Sequence, residues 1–152
     1  MSYSTTQARQ DLLDTIADAI DDLARALAAL GAAYEELEEH LADELEELLF
    51  GPVQGAYGRA RRTHAEFAAR HGLATRTFTS PQPGAPSGGL KGFLDDAVTA
   101  AGSADATLAT LQDSMLPVEV GDAELRAGLA NVRELVADVP RHARALMRTF
   151  GR

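Results

Sequence analysis

Apolar residues recur along the first fifty positions in alternating steps of three and four. This spacing places one apolar stripe along an α-helix, and a stripe of about five heptads is typical of helices that pack side by side as in coiled coils. Gly31 interrupts the run without shifting its phase. The pattern predicts one long helix over residues 6–50, with this stripe: Leu13, Ile16, Ile20, Leu23, Leu27, Leu30, Tyr34, Leu37 and Leu41.

Glycine, proline and helix-capping residues mark the predicted helix ends in the rest of the chain. Gly51-Pro52 predicts a turn that ends the first helix, because proline disfavours a helical conformation at the residue before it. A second helix with the same period follows as far as Gly72. Ser87 and Asp122 are predicted N-caps of a third and a fourth helix. Pro140 predicts a kink or short break inside the fourth.

These segments predict an all-α fold: a four-helix antiparallel bundle built as two helical hairpins, with an unusually long first helix. One domain, residues 1–152, would contain hairpins 5–72 and 88–151, joined by a flexible Pro/Gly-rich linker at 73–89. The second helix is much shorter than the first, so helices three and four or a second chain must cover the rest of the first helix. We expect a homodimer with its interface on the first helix: Leu13, Ile16, Ile20, Leu23, Leu27 and Leu30.

Composition narrows the class of protein. Aromatic residues make up 5% of the chain and there is no Trp, so Leu and Ala must fill the core. The absence of Cys excludes disulfides and thiolate metal sites, and fits a reducing compartment. No signal-peptide pattern or membrane-length apolar stretch is present. We expect a soluble cytoplasmic protein that binds no membrane, and the net charge of −9 makes nucleic acid a poor partner.

The charge is unevenly spread along the chain. Residues 11–47 hold thirteen acids against one base, residues 59–76 hold five arginines against one acid, and residues 141–152 hold four arginines and no acid. The favoured interpretation is that these arginines pair with the acidic first helix. The alternative for the C-terminal arginines is an anionic partner. A turn at Gly51-Pro52 would bring residues 59–62 beside the acidic stretch 35–47.

The same turn would bring several metal-ligating residue types together. Glu44 and His64 would share a layer, with His40 beside them and His71 further along. Such a set could hold a divalent metal with water completing its shell, or a small ligand, between helices one and two. The preferred interpretation is a hydrogen-bonded polar layer that fixes the register of the helices.

Motifs for other chemistries are missing from the sequence. The chain has no Glu-x-x-His pair of the di-iron type, no glycine-rich phosphate loop and no Gly-x-Ser-x-Gly elbow. We therefore expect no cofactor and no enzymatic activity. The leading hypothesis is a protein that acts by association with itself or with another helical protein. A weaker one is an adaptor whose segment Thr75–Gly89, which contains a PxxP motif, is bound by a partner.

Overall fold

The computed structural model describes residues 3–82 and 88–150. These residues form helices and connecting segments without a β-strand, which confirms the all-α prediction. Within them, no helix combines the length and the apolar character needed to cross a bilayer. The predicted cap Ser87 lies outside the described residues. The elements are α1 (Thr5–Glu35), α2 (Glu39–Leu45), a π-helical turn (Glu46–Phe50), α3 (Gly51–Arg70), α4 (Gly89–Asp113), α5 (Leu116–Glu119), α6 (Ala123–Val136) and α7 (Val139–Phe150).

The first helix is shorter than predicted. Helix α1 continues through Gly31, as expected, but it ends at Glu35 and not near residue 50. At 1.5 Å per residue it is about 46 Å long. The chain reverses between Glu35 and Glu39, in a stretch with neither glycine nor proline.

A glutamate makes this reversal. The side chain of Glu38 accepts hydrogen bonds from the backbone N–H groups of His40 and Leu41 at 3.1 and 3.0 Å, and so caps α2. A continuous helix would place several glutamates of this stretch three and four positions apart, where like charges repel. The reversal instead puts Glu38 and Glu39 at a helix N-terminus, which favours negative charge.

The predicted turn at Gly51-Pro52 is wrong. The chain remains helical from Glu39 to Arg70, and the π-helical turn lies just before the proline. Its wider ladder is visible at Gly51, whose N–H bonds to the carbonyl of Glu46, five residues earlier. Such turns accommodate a local break in the α-helical ladder.

A histidine from α7 contacts the backbone beside this proline. Pro52 has no N–H to donate to the carbonyl of Leu48, four residues earlier. Nδ1 of His142 lies 3.0 Å from that carbonyl oxygen. Because a carbonyl can only accept, Nδ1 of His142 carries the proton in this bond. A residue almost one hundred positions away thus replaces the donor that proline lacks.

The two halves of the chain are interleaved. Helix α1 packs most extensively against α4, and α3 packs most extensively against α6, so the main pairs join the halves that were predicted to form separate hairpins. Arg70 contacts Asp122 and Arg59 contacts Asn131, so α3 and α6 run antiparallel.

These two helices approach each other closely at a glycine. A Cβ placed on Gly128 of α6 would lie 2.2 Å from Oγ1 of Thr63 on α3, so a larger residue would force the helices apart. The glycine therefore sets the spacing of this pair.

The apolar stripe of α1 is the core of the single chain. Leu13, Ile16, Ile20 and Leu23 are 0% exposed, and Leu30 is 1% exposed. Leu27 is partly buried against the same core. Helices of the same chain cover the stripe, and α4 contributes small alanines to that packing. The predicted dimer interface on these residues is therefore wrong, because their side chains are already buried without a partner.

The remaining boundaries follow local rules more closely. Asp122 caps α6 by accepting the N–H of Leu125 at 2.8 Å, as predicted. The break predicted near Pro140 is present, since α6 ends at Val136 and α7 begins at Val139. Residues 73–82 of the predicted linker carry no helix and run along the bundle. We call residues 73–82 the crossover segment.

Candidate functional site

The predicted metal ligands are not brought together. Glu44 on α2 and His64 on α3 lie twenty residues apart on one continuous helical run, so about 30 Å separates them. His40 is exposed and lies further still from His64. Among residues 3–82 and 88–150, no group of three or more His, Asp or Glu side chains is placed to hold a metal ion. The metal-site hypothesis is wrong because it depended on the turn at Gly51-Pro52.

His71 belongs to a polar contact between α3 and α6. Arg70 donates two hydrogen bonds of 2.8 Å to the carboxylate of Asp122, and Nε2 of His71 lies 3.0 Å from the same carboxylate. Partial burial raises the pKa of Asp122, but the bonds from Arg70, the Leu125 N–H and His71 outweigh it, and the pKa lies well below its usual range. This carboxylate caps one helix and anchors the end of another, which is a structural role.

A second buried carboxylate joins α1 to α4. Asp22 is 7% exposed, accepts a 2.8 Å hydrogen bond from the hydroxyl of Ser103, and pairs with Arg25. Its partners satisfy it within the bundle, as buried polar groups require. We assign it to packing.

Three arginines and a histidine converge on one pocket, which we call the basic pocket. This pocket is a concavity of about 500 Å³ between α3 and the crossover segment. Its lining contains three arginines, one histidine and no acid. Helix α3 contributes Gly58, Arg61, Arg62, His64 and Ala65 to the lining. The crossover segment contributes Arg76, Thr77 and Phe78.

His64 forms the buried edge of the basic pocket. It is 4% exposed, and its ring meets that of Phe78 edge to face, with the ring centroids 5.3 Å apart. Burial lowers the pKa of His64, the charge of Arg76 lowers it further, and Asp14 acts in the opposite direction. The imidazole is therefore neutral at neutral pH.

Two of the three arginines have no acidic partner among the residues that the structure describes. Arg76 donates to Asp21 at 2.9 Å, and its guanidinium carbon lies 5.1 Å from the centroid of the Phe78 ring. In the described part of the chain, neither Arg61 nor Arg62 forms an ion pair. Arg61 lies over the Tyr57 ring at 5.2 Å.

The predicted pairing of these arginines with the acidic stretch 35–47 is absent. Residues 39–47 of that stretch lie on the same helical run as the arginines and cannot face them, and residues 35–38 lie before this run. Arg59 instead donates to the side-chain oxygen of Asn131 at 3.2 Å. Arg61 and Arg62 of α3 thus remain available for other anions, whereas Arg70 is bound to Asp122.

Sequence reasoning missed the residues that the crossover segment contributes. Arg76 and Phe78 stand in a polar, aperiodic segment, a pattern that predicts a linker or a segment bound by a partner. A usable signal was present, because an aromatic residue in such a segment has an apolar surface to bury. Phe78 does pack against the core.

Comparison with known proteins gives no match. No protein-family model matches the chain, and no curated protein or solved structure matches it either. Function is therefore inferred from the surfaces and side chains themselves.

Proposed function

We propose that the chain is a non-enzymatic helical-bundle protein of the cytoplasm that acts by protein–protein association, as a two-fold homodimer. The observation that supports this proposal is a pair of oppositely charged surfaces that adjoin each other and that, within the described residues, form no ion pair with each other. We name them the acidic corner, residues 35–47, and the basic strip, Arg141, Arg144 and Arg148 of α7. The absence of cysteine supports the cytoplasmic assignment.

The acidic corner is strongly negative, and one aromatic side chain lies beside it. Residues 35–47 contain eight acids and no Lys or Arg. None of these acids takes part in an ion pair within residues 3–82 and 88–150. Tyr34 is 38% exposed and lines a small cavity with Glu46. An exposed tyrosine next to unpaired charge is typical of protein-binding surfaces.

The basic strip is the complementary surface. Arg144 and Arg148 are exposed, and neither joins an ion pair in the described residues. Arg141 pairs with Asp138 of the same turn, at 3.1 Å and with both side chains largely exposed. Arg144 and Arg148 also border a groove of about 490 Å³ between α4 and α7, whose apolar walls include Leu94, Val98 and Met147.

The two surfaces adjoin because α7 packs against the π-helical turn. The bond between His142 and the carbonyl of Leu48 fixes this contact at 3.0 Å. In a two-fold dimer, each acidic corner can meet the basic strip of the other chain, so a single isologous interface satisfies both surfaces. This arrangement keeps the predicted homodimer and moves its interface away from the buried stripe of α1.

The first test is the salt dependence of association. Sedimentation equilibrium of the full chain should show a dimer whose dissociation constant rises at least about tenfold between low salt and about 0.5 M sodium chloride, where the Debye length is about 4 Å. A chain that stays monomeric at low salt, even at high protein concentration, contradicts the proposal.

A charge-reversal pair locates the interface. Arg144→Glu with Arg148→Glu, and Glu46→Arg with Glu47→Arg, should each give a monomer, because each variant replaces attraction by repulsion at the altered positions in both contacts of the two-fold. Mixed together, the two variants should form a heterodimer, since both contacts then pair opposite charges.

The matched control is Arg61→Glu with Arg62→Glu, which makes the same change in net charge on α3. It should dimerise as the unaltered chain does. If the two charge-reversed variants stay monomeric when mixed, or if the control dissociates equally, the interface lies elsewhere.

A further inference from the structure

We infer that the basic pocket binds the phosphate group of a small phosphate monoester. This inference concerns a different face from the dimer interface and does not depend on it. The chain carries a net charge of −9, yet the lining of this concavity holds three arginines and no acid. Cations gathered in one concavity on an acidic protein require an explanation that helix packing does not supply.

One wall is a regular face of α3. Gly58, Arg61, Arg62 and Ala65 occupy positions i, i+3, i+4 and i+7, which lie together on the surface of a helix. The residues at either end, Gly58 and Ala65, are small, and they line the concavity together with the two arginines. A Cβ added to Gly58 would meet no atom within 4 Å, so this end of the pocket is open.

The crossover segment holds the third guanidinium in place. Arg76 uses one terminal nitrogen for Asp21, which leaves its other N–H donors for a ligand. Its position over the face of Phe78, whose edge is fixed against His64, limits the freedom of the side chain. Less ordering is therefore needed when a ligand binds.

The chemistry of the donors favours phosphate over other anions. Guanidinium groups match the oxygens of phosphate in forked hydrogen bonds, and the dianion of a monoester offers three terminal oxygens to three arginines. A carboxylate offers only two. A metal ion is disfavoured here, because the lining is cationic and the imidazole of His64 is its single metal-ligating side chain.

Neighbouring acids reduce the field without closing the pocket. Asp21 pairs with Arg76, and Asp14 acts on His64 from the same side, α1, but neither lines the concavity. The volume of about 500 Å³ exceeds that of a phosphate group, so a small organic group can accompany it.

Calorimetric titration of the full chain at low salt tests the ligand class. The probes are phenyl phosphate, inorganic phosphate and benzoate, which carries the same ring on a carboxylate. Phenyl phosphate should bind at least about tenfold more tightly than benzoate. In NMR spectra the ring protons of His64 should shift as phenyl phosphate is added, while those of His40 stay in place.

Paired variants test the residues. Arg61→Gln with Arg62→Gln should weaken phenyl phosphate binding at least about tenfold, because two charge-assisted donors are lost. Arg144→Gln with Arg148→Gln removes the same charge on α7 and should change the affinity by less than about twofold. Both pairs of side chains are exposed, and circular dichroism confirms that each variant is folded.

Three results would overturn the inference: no binding of phenyl phosphate, binding of benzoate as tight as that of phenyl phosphate, or an equal loss in both paired variants. The third would show unspecific attraction to positive charge. Since the α7 variant weakens the proposed dimer and spares the pocket, failure of one proposal leaves the other separately testable.

Discussion

At the scale of single residues, His64 shows how a fold controls protonation. It is the most deeply buried of the four histidines, all of which lie in the described residues. Burial disfavours its charged form, and the neighbouring Arg76 adds to this effect, so its pKa lies below the ordinary value of 6.5. The unfolded chain, whose imidazole is solvated, binds this proton more readily than the folded chain does.

We therefore predict that stability falls as the pH is lowered. The contribution of His64 is complete above its unfolded pKa of about 6.5 and is lost progressively below it, until the folded pKa is passed. The slope from this residue cannot exceed about 1.4 kcal/mol per pH unit, the limit for one proton. Urea unfolding of His64→Gln between neutral and mildly acidic pH should show a flatter dependence than the unaltered chain.

The matched control for this prediction is His40→Gln, which removes a histidine that the fold leaves exposed. It should keep the pH dependence of the unaltered chain. Equal flattening in both variants would mean that burial of His64 is not the cause.

At the scale of elements, the π-helical turn shows a long-range contact overriding a local rule. Gly51-Pro52 ends most helices, yet here the helix continues because the ladder widens before the proline and His142 contacts the freed carbonyl of Leu48. The π-helical turn and His142 both lie outside the Gly51-Pro52 dipeptide, on which the prediction depends.

A double-mutant cycle measures this contact. In Pro52→Ala the new N–H can serve the carbonyl of Leu48, so His142→Leu should destabilise that variant less than it destabilises the unaltered chain. We expect a coupling energy of about 1 kcal/mol from urea unfolding of the four proteins. Additive effects would show that His142 and Pro52 act independently.

The elements also show which boundaries could be predicted. The cap at Asp122 and the break near Pro140 depend on local chemistry, and the sequence predicted both. The sequence does not reveal the reversal before Glu39, because glutamate favours helices while the repulsion within a run of glutamates acts against that propensity. The misplaced turn then led to a metal site whose two main residues, Glu44 and His64, lie about 30 Å apart.

The basic pocket was harder to predict for a related reason. The sequence predicts Arg61 and Arg62 only as partners for the acidic stretch 35–47. The pocket requires the crossover segment to return Arg76 and Phe78 to α3, and this return depends on tertiary packing. The local signal, an aromatic residue in a polar segment, indicates that Phe78 has apolar surface to bury but not where it packs.

At the scale of the whole molecule, the stripe of α1 defines the stability of one chain. Leu23 is 0% exposed without any partner chain. We predict that Leu23→Ala lowers the free energy of unfolding by about 2 to 5 kcal/mol, through lost burial and the cavity left behind. Met115→Ala, at a side chain that is 50% exposed, is the control and should cost far less.

Protein concentration distinguishes a core residue from an interface residue. The loss at Leu23 should be the same at low and high protein concentration, because the buried contacts are intramolecular. A variant that only dissociates, with the unfolding midpoint of the separated chain unchanged, would restore α1 as the interface.

The pairing of α1 with α4 has a consequence for biosynthesis. Helix α4 begins at Gly89, more than fifty residues after α1 ends. On a translating ribosome, α1 therefore emerges long before its principal partner exists, and at ordinary elongation rates the delay is of the order of seconds. Until α4 is made, α3 and, to a smaller extent, α2 and the π-helical turn can shield part of the apolar stripe. The part of the stripe that α4 covers therefore stays exposed until the second half has left the exit tunnel, and folding is completed only then.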